Sequence, residues 1–150
     1  MKTLIFVFLC LVFTTNTSSI AKISTPNAKS KCWLGHWSVY IYNAMIDPIT
    51  VHVKSGDDDL GVHTLAFFDN ENWSFCENFW GNTLFYAYFN WNGTRTASFD
   101  VWKYDFFKYC SGSLVNPQRR CVWLVRHDGF YLGEDLTPFP NGWHKMHDWS

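Results

Sequence analysis

From Trp37 onward, apolar residues alternate with polar ones in short runs broken by turn chemistry, and no window long enough for a helix keeps helical period. Val39 and Ile41 share one parity, as do Ile49, Val51 and Val53, while Thr50, His52 and Lys54 take the other. A strand points successive side chains to opposite faces, so these segments predict strands with one face in a core and one in water. The same reading extends to residues 61–67, 73–79, 83–89, 95–104, 121–126 and 129–132. Short strands at this spacing predict an all-β chain, a single-domain antiparallel β-sandwich. An aromatic content of 20% supplies the large, stiff side chains that a pleated, half-buried surface accommodates.

The hairpin around Asn92-Gly93 can be read in register. A two-residue turn would face Phe85, Ala87 and Phe89 with polar partners. A three-residue loop, Trp91-Asn92-Gly93 with Gly93 left-handed, instead sets Phe85 opposite Phe99 and Ala87 opposite Ala97, and this odd-length loop is the expectation.

At the start, Lys2 precedes the apolar run Leu4 to Phe13, followed by a polar stretch and Ser19-Ile20-Ala21. That pattern predicts a secretory signal peptide over residues 1–21, with an apolar core too short to span a bilayer. Residues 22–150 then form one secreted domain, with a loose polar arm over 22–31 and no second domain. Cys10 leaves with the leader. Cys32, Cys76, Cys110 and Cys121 therefore enter an oxidising compartment as an even set, which predicts two disulfides among three possible pairings. No Cys-x-x-Cys interval supports zinc.

Without Lys2 the mature chain carries eleven basic and thirteen acidic side chains, a balance that points away from nucleic acid. The run Asp57-Asp58-Asp59 before Leu60-Gly61 lacks the alternating ligands and distant Glu of a calcium loop and reads as solvated turns. His52 and His63 flank that run, but His52 lies on the polar parity of its strand. His144 and His147 would share a helical face only on a helix, and Trp143 to Ser150 reads as a fraying end. His127-Asp128-Gly129 reads as a turn, and His36 has no paired neighbour. No nucleophile elbow, phosphate-cradling loop or His-Glu-x-x-His is present. The chain is therefore expected to be no enzyme, and to need no cofactor and no metal.

Three motifs, taken in order, carry a family resemblance: Val39-x-Ile41-x-Asn43, then Val51 to Gly61 with its Asp-Asp-Asp-Leu-Gly, then Asn78-Phe79-Trp80-Gly81-Asn82-Thr83-Leu84-Phe85. Phe89-x-Trp91, Cys110 with Cys121-x-Trp123, and Asp128-Gly129-x-Tyr131 continue it. Over residues 37 to 132 the chain resembles the plant self-incompatibility S-protein homologues. The resemblance implies a secreted β-sandwich acting as an extracellular signalling ligand. Founding members are stigma-secreted ligands that arrest incompatible pollen through a cell-surface receptor, so a receptor is the expected partner and a monomer the expected state. It also implies a bridge between Cys110 and Cys121, which leaves Cys32 and Cys76 for each other, and assigns Asp57, Asp58, Asp59 and Gly61 to a motif loop that holds the fold. One departure stands out: the family's cysteine pair falls on Val53 and Ala87 here, two inward residues that fill the place of a lost bridge.

A second reading treats exposed tryptophans among the nine as a carbohydrate-binding platform, against the plainer view that Trp73, Trp80, Trp91 and Trp123 belong to strands and tight turns of the fold. Two sequons follow the leader, and Asn92 at a hairpin tip is the expected glycosylation site ahead of Asn72 beside a strand. The loop 111–120, tethered by Cys110 and Cys121 and carrying Arg119 and Arg120, is the expected partner-binding element, because paired guanidinium groups match receptor carboxylates.

Overall fold

A computed structural model describes Cys32, residues 35–110 and residues 119–150. The leader over 1–21, the arm over 22–31 and positions 111–118 of the proposed recognition loop lie outside the described residues. Nine strands and one 3₁₀ helix follow in chain order: β1 (His36–Asn43), β2 (Ile49–Ser55), β3 (Asp59–Leu65), β4 (Asn70–Cys76), β5 (Phe85–Trp91), β6 (Arg95–Trp102), the 3₁₀ helix (Tyr104–Tyr109), β7 (Arg119–Arg126), β8 (Gly129–Gly133) and β9 (Trp143–His147).

The strands form two sheets, one ordered β4-β1-β7-β8-β9 and the other β3-β2-β5-β6. The fold is the all-β sandwich that the alternation predicts. One ladder departs from the antiparallel rule, since β1 and β7 run parallel with Val39 opposite Cys121. Parity decides the core: Val39 and Ile41, Ile49, Val51 and Val53 are all buried, while Thr50, His52 and Lys54 remain partly exposed. Between the sheets Phe89 packs on Phe130 at 4.7 Å and on Phe99 at 5.1 Å between ring centroids. Full burial of such a side chain stabilises a fold by about 1.5–3 kcal/mol, so this aromatic layer dominates the packing. Val53 and Ala87 stand directly opposite each other between β2 and β5, both essentially inaccessible.

The β5–β6 loop is odd in length, but it is Asn92-Gly93-Thr94, one residue further along than the expected Trp91-Asn92-Gly93, with Trp91 paired to Arg95. Ala87 therefore faces Phe99 and Phe89 faces Ala97, so a small residue lies across from each large one. Two successive left-handed residues cause the shift, Asn92 with φ 52° and Gly93 with φ 67°, and the Gly93 N–H donates to Asn90 Oδ1 at 2.8 Å.

The C-terminal segment corrects the expectation of a frayed end. Trp143–His147 is a strand on β8, with Leu132 opposite His144 and Gly133 opposite Trp143. Its own residues show little alternation, and its order comes from what it leans on: His147 stacks on Phe99 at 4.0 Å, and Trp149 packs on Phe130 at 4.5 Å. Gly129 permits the approach, because a Cβ there would sit 2.4 Å from the His147 carbonyl oxygen.

Candidate recognition site

Cys76 ends β4, and the loop that follows is organised by a buried carboxylate. Glu77 accepts hydrogen bonds at Oε1 from the backbone N–H groups of Asn78 and Thr83, both at 3.2 Å, and at Oε2 from the Trp102 indole at 3.2 Å. Asn78 adds a second internal post, its Oδ1 accepting from the N–H groups of Trp80 and Asn82 at 3.1 Å and its amide donating to Asn82 Oδ1. Both polar side chains bond inward, so the loop turns its apolar ones outward. Phe79 is 77% exposed and Trp80 82%, and their rings stand perpendicular at 5.3 Å. Gly81 closes the turn at φ 64°, a conformation that suits glycine.

These rings form one wall of an open groove of about 550 Å³. Tyr104 and Phe107 of the 3₁₀ helix, both exposed and with near-parallel rings, form another. Buried Trp37 and Glu77 line the groove, and Arg119 reaches it with its guanidinium carbon 5.6 Å above the Trp37 ring. Both disulfides lie at this end: Cys32–Cys76, with Cα atoms 5.3 Å apart, leads directly into Glu77, and Cys110–Cys121, at 4.7 Å, fastens the 3₁₀ helix to β7.

The structure separates the two arginines that the sequence places together. Neighbours on a strand point to opposite faces. Arg119 faces the groove, while Arg120 pairs with Asp135. Trp80, expected within the fold, is the most exposed of the tryptophans named above, whereas Trp73 and Trp123 are core and Trp91 is partly buried. The groove was not legible as a unit, because Trp37, Glu77, Tyr104 and Arg119 come from four separated segments and only the fold assembles them.

The acidic motif does structural work at the β2–β3 turn. Ser55 Oγ accepts from the N–H groups of Asp57 at 3.2 Å and Asp58 at 2.9 Å, leaving their carboxylates in solvent. Asp59 differs: it meets His52 Nε2 at 2.6 Å, Lys54 Nζ at 3.0 Å and the Gly61 N–H at 3.0 Å. The His52 hydrogen bond first, then Lys54 and the Gly61 N–H, hold its carboxyl well below the usual carboxylate range. His63 lies on β3 opposite Val51, with Nε2 on the Leu60 carbonyl at 2.8 Å and Nδ1 3.3 Å from Glu71. Among the described residues no group of three His, Cys, Asp or Glu side chains converges on a metal position.

Both sequon asparagines are exposed. Asn92 stands at the β5–β6 tip, whereas Asn72 lies within β4 opposite Tyr40 and donates to Asn70 Oδ1 at 2.9 Å.

Comparison with known proteins bears on residues 38–149, which match the family model described as plant self-incompatibility protein S1. S-protein homolog 74 of Arabidopsis thaliana is 28% identical over 143 residues, covering 89% of this chain and 91% of its own. S-protein homolog 5 of the same plant is 34% identical over 94 residues, covering 62% and 67%. A solved structure of SPH (self-incompatibility protein homologue) proteins, described as a widespread family of small, highly stable, secreted proteins from plants, superposes with a TM-score of 0.54. It covers 78% of this chain and 96% of its own at 18% identity, a likeness of fold. Among the described residues no helix is long and apolar enough to cross a membrane.

Proposed function

The chain belongs to the plant self-incompatibility protein S1 family, and from that premise we propose that it is a secreted, monomeric, non-catalytic ligand read by a cell-surface receptor through the Trp80 groove. The observation that carries this reading is the cluster of exposed Phe79, Trp80, Tyr104 and Phe107 beside Arg119. Tryptophan, tyrosine and arginine supply most of the binding energy at protein interfaces. Here Glu77 and two disulfides fix the cluster before any partner arrives, which lowers the ordering cost of docking. The receptor contact thus moves from the paired arginines to Arg119 alone, with aromatic neighbours.

Labelled protein applied to protoplasts from a panel of plant tissues tests it. Trp80→Ala and Arg119→Ala are each expected to weaken binding by about 30-fold, and Arg120→Ala by no more than about twofold. Equal binding by the parent and Trp80→Ala would remove the groove from recognition. A glycan array probed with the same variants separates the carbohydrate-binding alternative, which requires Trp80-dependent binding to free oligosaccharide. Glycosylation is proposed at Asn92 ahead of Asn72, because the tip presents its amide without neighbours on a ladder, and site-resolved mass spectrometry with Asn72 occupied and Asn92 bare would refute it.

A further inference from the structure

At the end of the sandwich away from the groove, the β3–β4 turn runs Ala66-Phe67-Phe68-Asp69, and Phe68 sits in the left-handed region at φ 63°. Among the described residues the other positive-φ positions are six glycines and Asn92, types that take this conformation readily, so Phe68 is the one bulky residue forced into it. The turn is fixed from below. The Phe68 N–H donates to the Asn43 carbonyl at 2.7 Å, and the Asn43 N–H donates to the Asp69 carbonyl at 3.1 Å. Asn43, itself fully buried, donates its amide to the carbonyls of Leu65 at 3.0 Å and Asp47 at 2.9 Å and accepts from the Met45 N–H at 2.9 Å. One buried residue therefore fastens both the β1–β2 and the β3–β4 loops.

The phenylalanine gives the folded chain little in return for its strain. Phe68 is 55% exposed, Phe67 56%, and Ile46 on the companion loop 84%. Asparagine or glycine would hold the same backbone without strain. The Phe68 ring meets the Phe67 ring edge-on at 5.0 Å between centroids, but Phe67 is itself exposed, so this contact buries too little to justify the strain, and the pair points outward, to a partner.

We infer that Ile46, Phe67 and Phe68 form a second docking surface, for a protein whose apolar pocket is rimmed by lysine or arginine. Charge complementarity selects that partner: residues 43–48 and 65–70 contain Asp47 and Asp69 and no basic residue. The same carboxylates repel anionic lipid headgroups, which disfavours a membrane. The inference rests on the receptor reading only in seeking this partner on the same cells, and the groove variant keeps the two apart.

The test compares the parent chain with Phe68→Asn, Ile46→Ser and Trp80→Ala, by thermal unfolding, protoplast binding and sedimentation. Phe68→Asn is expected to raise Tm by about 2–4 °C while weakening binding about tenfold or more. Ile46→Ser, which leaves the backbone alone, is expected to keep Tm and to weaken binding as well. Parent-like binding by Phe68→Asn overturns the inference, and a simultaneous loss in Trp80→Ala leaves the receptor reading standing. A Tm drop in Phe68→Asn would make the ring structural and overturn it too. Concentration-dependent self-association lost in Phe68→Asn would assign the surface to a second copy. A parent that binds no protoplast overturns both readings.

Discussion

The two loops that flank β4 each present an adjacent aromatic pair, Phe67-Phe68 before the strand and Phe79-Trp80 after it, yet they are held by different means. The later loop hangs from a buried carboxylate and lies beside both disulfides. The earlier one hangs from a neutral amide, Asn43, with no covalent link nearby among the described residues. One end is stapled and anchored on a carboxyl group, the other anchored on an amide and strained. The difference teaches that exposed apolar side chains need a polar anchor beneath them, and that either chemistry serves.

Removing the staples tests the contrast most severely. Cys32→Ser with Cys76→Ser opens a bridge between residues 44 apart and should cost about 3–4 kcal/mol in urea unfolding. Hydrogen exchange should then quicken over 77–83 and stay unchanged over 65–69; equal quickening at both ends would dissolve the distinction. The anchors come next. Glu77→Ala takes the acceptor from the Thr83 N–H and from the buried Trp102 indole, while the Asn78 N–H keeps Thr83 Oγ1 at 3.3 Å, and should cost about 3 kcal/mol. Asn43→Ala removes neutral bonds only and should cost about 2 kcal/mol; the reverse order would show that charge is not what distinguishes the anchors. A third experiment adds a staple. Val53→Cys with Ala87→Cys joins directly opposed core residues and should form a bridge detectable by non-reducing mass mapping, raising stability by about 2 kcal/mol, whereas free thiols would reject the geometry.

The smallest effect is in pH. Burial, with Lys103 adding to it and Asp100 and Asp148 opposing, pushes the His147 imidazole below its ordinary pKa. The unfolded chain then binds the proton more readily, so stability is complete above the unfolded value of about 6.5 and declines as pH falls through it. His147→Phe should flatten the slope between pH 7 and 5 and leave unchanged the slope below pH 4, where the unfolded chain protonates Asp59 while the folded chain holds that carboxyl ionised. An unaltered mild-acid slope would show that His147 does not set it.

Parity made most strands legible, because Val51 and Val53 bury whatever β2 pairs with. What escaped is information held between segments. β9 borrows its order from Phe99 and Phe130 and has little pattern of its own. The β5–β6 register turned on Asn92 being left-handed, which an asparagine permits but does not require. The parallel β1–β7 ladder left no mark in either strand. The same holds for function: Arg119 and Arg120 look equivalent in the chain, and strand geometry alone sends one to the aromatic groove and the other to Asp135.

The parallel ladder also fixes an order of events. β2, β3, β5 and β6 lie within residues 49–102 and pair through hairpins and near neighbours, so one sheet can close while the chain is still emerging. β1 cannot gain its inner neighbour until residues 119–126 arrive, since Val39 waits for Cys121. Until then the finished sheet is covered by the β1–β4 pair at most, and Phe89, whose partner across the sandwich is Phe130 of β8, faces whatever is in the compartment. Non-local pairing of this kind is slow and prone to aggregate. A truncation ending before β7 is therefore expected to leave a sticky, half-covered sheet.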